Sequence, residues 1–218
     1  VKTSNIEIVA HRGGSKGVYK ENTLDAFYFA LKNDIKSIEM DIRMSHFSKT
    51  FFLEHDYLHH PRVKKNFFEN IIKILPEDTK VYCELKTLTL TRKFYARTFL
   101  EMIQKYGLEE KVVVISYNPF VLSQLRKIGY KGKIGILIGM NIMWKLLKNY
   151  VAKKIKPEYM ILSLGIINKS KINFARAKNY KVFVYVANKE KYWDQAIKLK
   201  LDGIITDYPL LLRDYLKA

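Results

Sequence analysis

Eight short apolar, β-branched runs alternate along this chain with longer amphipathic stretches, and that alternation restricts the fold more than any other feature. The runs are Ile6–Ala10, Ser37–Ile42, Val81–Leu85, Val112–Ser116, Lys133–Leu137, Tyr159–Ser163, Lys181–Val186 and Gly203–Thr206. Near-continuous apolar runs of this length suit strands buried on both faces. Between them the pattern predicts helices over Thr23–Asn33, Val63–Leu75, Thr91–Tyr106, Pro119–Lys127, Met143–Ala152, Lys171–Lys178, Lys189–Lys198 and Pro209–Leu216. In the first of these, Leu24, Phe27, Ala30 and Leu31 recur at helical spacing, and Asn22 or Thr23 can cap its start. Strand followed by helix, eight times over, predicts a parallel α/β sheet covered on its outside by helices. Right-handed crossovers favour closing that sheet into a (β/α)8 TIM barrel. Phe51–Leu53 adds a short extended piece after the second strand. The 218 residues are 48% apolar and contain no Gly/Ser/Pro-rich linker, so the chain reads as one domain over residues 1–218.

Polar groups stand at the ends of three of these runs. The first run exits into His11-Arg12-Gly13-Gly14, with Glu21-Asn22-Thr23 beyond. The second contains Glu39-Met40-Asp41 and is followed by Glu54-His55-Asp56, and the third ends in Glu84-Leu85-Lys86. Chemistry confined to the carboxyl ends of strands is the arrangement of a barrel active site. Glu39 and Asp41 are two apart, so both point to one side of their strand, and Glu84 can join them. Three convergent carboxylates repel unless a cation sits among them, and oxygen-only ligands suit Mg²⁺ or Ca²⁺ better than zinc. His11 and His55 can move protons near neutral pH. Arg12 and Lys86 can meet phosphate oxygens, and Gly13-Gly14 lets the backbone turn tightly beside a ligand. His46, His59 and His60 read as solvated loop residues, and Asp56 could orient His55.

The chain carries 39 basic and 21 acidic side chains, a net charge of +18. Such a charge attracts anions, whether a phosphorylated substrate, an acidic membrane surface or nucleic acid. The lysines are spread along the whole chain rather than blocked together, which equally fits a solvating surface. The single Cys83 excludes an intrachain disulfide and lies inside an apolar run, as a buried thiol would. No run is long enough for a transmembrane helix and no leader is visible, so a cytoplasmic protein is expected. Ile142, Met143, Trp144, Leu146 and Leu147 could form either a peripheral membrane contact or the inner face of a helix.

Taken in order, His11-Arg12-Gly13, Glu21-Asn22-Thr23, Glu39-x-Asp41, His55-Asp56 and Glu84-x-Lys86 resemble the pattern of the glycerophosphodiester phosphodiesterase (GDPD) family. Ile115-Ser116-Tyr117, Val182–Asn188 and Asp202–Pro209 extend the resemblance nearly end to end. It implies a barrel hydrolase that converts glycerophosphodiesters to glycerol 3-phosphate and an alcohol. By that resemblance Glu39, Asp41 and Glu84 would bind one divalent metal, and His11 and His55 would be the general acid and base. Arg12 and Lys86 would meet the phosphate, Glu21 would support the first loop, and Tyr185 and Asn188 would lie at the mouth.

The chain departs from the pattern at several places. Lys20 stands where a proline is usual, Ser45-His46-Phe47-Ser48 replaces a Thr-Lys-Asp-Gly turn, and Tyr185 replaces a tryptophan. Only 28 residues separate His55 from Glu84, so the large insertion of many relatives is lacking. An open mouth of that kind could also admit a lysophospholipid. The alternative activity is therefore a lysophospholipase D-like cleavage through a cyclic phosphate. A non-enzyme alternative is a basic protein that binds nucleic acid or acidic membranes, but no nucleic-acid motif is present, and a nucleic-acid partner is not expected.

Overall fold

The computed structural model describes residues 6–45, 48–55, 66–73, 75–87 and 90–218. Eight parallel strands form a closed barrel. They are β1 (Glu7–Ala10), β2 (Ser37–Met44), β5 (Lys80–Leu85), β6 (Val112–Ser116), β7 (Lys133–Ile138), β8 (Tyr159–Ser163), β9 (Lys181–Tyr185) and β10 (Gly203–Thr206). Each pairs with the next, and β1 pairs with both β2 and β10, which closes the ring. β3 (Phe51–Leu53) and β4 (Asn66–Phe67) extend β2 outward as an antiparallel ribbon. The helices are α1 (Leu24–Lys32), α2 (Phe68–Ile72), α3 (Arg92–Lys105), α4 (Pro119–Lys127), α5 (Asn141–Tyr150), α6 (Lys169–Ala177), α7 (Glu190–Lys198) and α8 (Pro209–Lys217).

The expected alternation of strand and helix is therefore present. The differences have local causes. β2 runs on to Met44 because β3 pairs with its end. α2 is shorter than expected and follows the unforeseen β4, while the start of the helix expected at Val63 lies outside the described residues. α5 begins two residues early and passes into a π-helical turn, Val151–Ile155. Thr23 caps α1 by accepting from the Ala26 N–H, and Asn118 and Asn168 cap α4 and α6 in the same way.

The period of two along each strand divides two cores. Ile38, Met40 and Ile42 of β2 and Val81, Cys83 and Leu85 of β5 face the helices. Cys83 is fully buried there, and burial pushes its thiol well up, so it is unreactive. Inside the ring, Tyr82, Tyr159 and Phe183 meet at centroid distances of 5.4 to 5.7 Å. A Cβ on Gly203 would lie 2.4 Å from the Phe183 ring, so glycine is what lets that ring fill the barrel. Below, the Glu7 carboxylate accepts from Ser37, Lys80 and the Tyr82 hydroxyl, which satisfies the polar end of the barrel. Ile115, Leu137 and Ile205 stand on the opposite side of the aromatic layer, toward the carboxyl ends of the strands.

Candidate active site

Glu39, Asp41 and Arg43 of β2 all point into the barrel, where the pleat places alternate residues. Asp41 pairs in register with Glu84 on neighbouring β5, so the three carboxylates converge. Each offers an oxygen within 4.8 Å of the other two. Glu39 and Asp41 are 2% and 0% exposed. Two cations lie among them. Lys86 Nζ is 2.7 Å from Glu84 Oε1 and 3.1 Å from Asp41 Oδ1, and Arg12 Nε is 2.8 Å from Asp41 Oδ2. Arg12 also donates to Glu21 Oε2 at 2.8 Å, so Glu21 steers the guanidinium from outside the cleft.

The carboxylates respond unequally to this setting. Burial pushes Glu39 well above the ordinary range, and the negative charges of Asp41 and Glu84 push it further. Burial also raises Glu84, against the opposing pull of Lys86, to about 7. Burial acts on Asp41 too, but Lys86, Arg12 and Asn22 outweigh it and hold Asp41 below the ordinary range. Asn22 donates to Asp41 Oδ2 and accepts from the Asp41 N–H, locking the strand to the first loop. Asn22 and Arg12 hold left-handed backbone, φ 57° and 50°, an observed strain of the kind that clusters at functional sites. Gly14 adopts φ 60°, and a Cβ there would meet the Pro209 ring at 2.5 Å, so only glycine lets the loop lie against α8.

The donor set fits a hard divalent cation. All three groups offer oxygen, and their mutual spacing matches metal–oxygen distances of about 2.0–2.6 Å around one ion. Asp41 Oδ1 is buried and accepts no well-aligned hydrogen bond, although Lys86 stands close as a charge partner, so it retains an unused lone pair.

His11 leaves β1 beside this cluster. Its Nδ1 lies 2.6 Å from Asp207 Oδ1, and its Nε2 lies 3.9 Å from Glu39 Oε2. Despite partial burial, hydrogen bonds from His11, Asn188 and Lys16 lower Asp207 to about 2, so it is ionised and the Nδ1 of His11 carries the proton. His55 follows β3. The Glu54 N–H donates to the Asp41 carbonyl, and Arg43 donates to the carbonyls of Glu54 and His55, which ties this segment to β2.

His11, Arg12, Glu39, His55, Glu84 and Lys86 line one cavity of about 130 Å³. Tyr185 and Tyr117 form its aromatic side, their rings 5.8 Å apart. Asn188 is half-buried next to Asp207. It is bound to Asp207 and Thr206, which lets it support Asp207. Asp207 itself is an addition to the expected site; its position next to the β10 run in Thr206-Asp207-Tyr208-Pro209 is the signal that points to it. His46, Asp56, His59 and His60 lie outside the described residues.

The family model for the glycerophosphoryl diester phosphodiesterase family matches residues 11–56 and 49–211. The chain belongs to that family. It is 25% identical to a glycerophosphodiester phosphodiesterase of Caldanaerobacter subterraneus, across 93% of this chain and 94% of that one. A glycerophosphodiester phosphodiesterase of Bacillus altitudinis is 22% identical over 93% of this chain and 95% of its own. An Oleispira antarctica phosphodiesterase, solved in complex with the product sn-glycerol-3-phosphate, has the same fold. Its TM-score is 0.83 at 16% identity, with 97% of each chain covered. Membership makes this chain an enzyme, a hydrolase of glycerophosphodiesters. Among the described residues no helix is long and apolar enough to cross a membrane.

Proposed function

We propose that Glu39, Asp41 and Glu84 hold one divalent cation, Mg²⁺ or Ca²⁺, and that His11 and His55 move the protons of phosphodiester hydrolysis. The observation that carries this reading is the meeting of three buried carboxylates, one oxygen each within 4.8 Å, in a cavity both histidines line. A bound cation would supply Lewis-acid stabilisation of charge on the phosphate oxygens. Arg12 and Lys86 bring further positive charge to the same oxygens and orient the diester. The oxygen of water forms a bond to phosphorus, and the bond from phosphorus to the alcohol oxygen breaks. One histidine takes the proton from the attacking water, and the other gives a proton to the departing alkoxide. Asp207 keeps the proton of His11 on Nδ1, which leaves Nε2 to face the cleft. The aromatic side made by Tyr185 and Tyr117 packs the organic part of the substrate. The product of the Oleispira relative supports glycerol 3-phosphate as the product here.

A second reading, favoured by the partly exposed Tyr117 and Phe120 and the exposed Met140 beside the opening, replaces the water-soluble diester with a lysophospholipid. Phosphorus NMR separates the two. The metal-stripped enzyme is given glycerophosphocholine or lysophosphatidylcholine, with and without Mg²⁺ or Ca²⁺, beside a His11→Ala control. Metal-dependent glycerol 3-phosphate from glycerophosphocholine, absent in the variant, is the expected result. Turnover of the lipid alone selects the second reading, and a cyclic phosphate shows that a substrate hydroxyl, not water, attacks. Unchanged turnover in His11→Ala contradicts the proton-transfer assignment.

A further inference from the structure

The three neighbouring segments β5–α3, β6–α4 and β7–α5 leave aliphatic and aromatic groups uncovered around the mouth of the barrel. Leu90 is 93% exposed, Ile142 57% and Leu146 73%, with Met140 and Phe120 beside them. Isolated exposed apolar residues are ordinary, but this is a cluster on one side of the molecule. α5 explains its shape. Met143, Trp144 and Leu147 turn inward against β7, and Trp144 meets Phe174 at 4.8 Å. Ile142 and Leu146 lie four apart on another side, a second apolar stripe that ends at the partly buried Tyr150. No residue of α5 is fully buried. The inner stripe and Tyr150, which packs against the core, already supply its attachment to the barrel, so packing of the fold does not account for the exposed Ile142 and Leu146. Tyr150 carries the outer stripe onto α4, where its ring lies 5.6 Å from Phe120, and the Arg92 guanidinium stands 5.7 Å over Phe120.

Charge identifies what this surface meets. The stretch from Lys86 to Leu100, α4 and α5 contain no Asp or Glu. Lys93, Lys145 and Lys148 are exposed among the apolar groups. Apolar side chains interleaved with cations are the composition of a surface that enters the headgroup region of an anionic bilayer. Two copies of a +18 chain meeting through this face would bring like charges together, which disfavours self-association.

We propose that the α3–α4–α5 side of the mouth docks on an anionic lipid bilayer, with Ile142 and Leu146 inserted and the surrounding lysines on the headgroups. The docking is independent of which diester is cleaved, so its test does not depend on the catalytic assignment.

The test is co-sedimentation of the full chain with phosphatidylcholine vesicles, with or without phosphatidylglycerol, at increasing salt. Light scattering is run in parallel without lipid. Two variants are compared, Ile142→Glu/Leu146→Glu and Lys145→Glu/Lys148→Glu. All four positions are exposed and outside the cleft, and unchanged turnover of a water-soluble diester together with unchanged circular dichroism verifies their folding. The wild type is expected to sediment with anionic vesicles and not with neutral ones. Each variant is expected to lose at least about tenfold in affinity, since one basic residue at such a surface alone changes binding about fivefold. Failure to sediment, equal binding to neutral vesicles, or undiminished binding by Ile142→Glu/Leu146→Glu would overturn the proposal. So would a lipid-free dimer that the same variant dissociates, because the stripe would then serve a second copy.

Discussion

Asp207 lies 196 positions from His11 in sequence and 2.6 Å from it in space. Closure of the barrel between β1 and β10 makes that contact, and nothing near His11 in the chain announces it. Asp207→Asn substitutes an amide that can present a donor to Nδ1 and so move the histidine proton to the other nitrogen. The expected loss in kcat is about 10²–10⁴-fold, with KM little changed and thermal stability nearly retained. Asp207→Glu should recover part of kcat, because it restores the carboxylate at an imperfect distance. Equal losses in kcat and in stability for both variants would mean that Asp207 merely supports the fold. The carboxylates of the triad were more legible than Asp207. Glu39 and Asp41 stand two apart inside an apolar strand, and Glu84 ends the next, so the pleat alone brings them to one side. Tyr185 was legible as an aromatic wall. The support role of Asn188 was not, since it depends on hydrogen bonds to β10 and the residue after it.

Pairing of β2 with β5 sets Asp41 against Glu84, and the consequence is a pH-dependent element. In the metal-free fold Glu84 holds its proton to about 7, whereas an unfolded glutamate releases it near 4.5. The folded state therefore binds more protons between these values. The stability this group contributes is complete below about 4.5 and is lost as pH rises through about 7. Thermal melts of the metal-free protein across that window should fall more steeply with pH than those of Glu84→Gln. Saturating Mg²⁺ or Ca²⁺ should flatten the wild-type slope, because the cation binds the ionised carboxylate and releases its proton. Identical pH slopes for the two proteins would remove Glu84 from this account. A second prediction at this scale concerns β10. Gly203→Ala forces a methyl group onto the Phe183 ring, and urea denaturation should register a loss of about 1–3 kcal/mol from overpacking. An unchanged midpoint would show that the aromatic layer yields freely. The parallel strands were readable from their apolar runs. β4 was not, because two residues carry no period, and the extension of β2 to Met44 comes from its antiparallel partner.

At the level of the whole molecule, the barrel brings to one mouth groups that are dispersed over nearly the full chain. His11 follows the first strand, Glu39 and Asp41 lie on the second, Glu84 lies on the third of the ring with Lys86 just after it, and Asp207 stands beyond the last. Alternating strands and helices make that architecture legible in the sequence, while the use of the +18 charge is not, since lysines spread over a sequence acquire a direction only in the folded arrangement of the helices. The outer stripe of α5 became distinct from its inner stripe only when Met143, Trp144 and Leu147 were seen against the barrel. Removal of the proposed cation would act on the whole arrangement, because it would leave three convergent carboxyl groups with only Arg12, Lys86 and retained protons to offset their charge. The most direct test is a calorimetric titration of the metal-stripped enzyme with Mg²⁺ or Ca²⁺, run beside glycerol 3-phosphate release from glycerophosphocholine over the same concentrations. One ion per chain is expected, with turnover rising at the same midpoint and both signals lost in Glu39→Gln and Glu84→Gln. Full turnover by the chelated wild type, or by either variant, would contradict a metal centre built from these carboxylates.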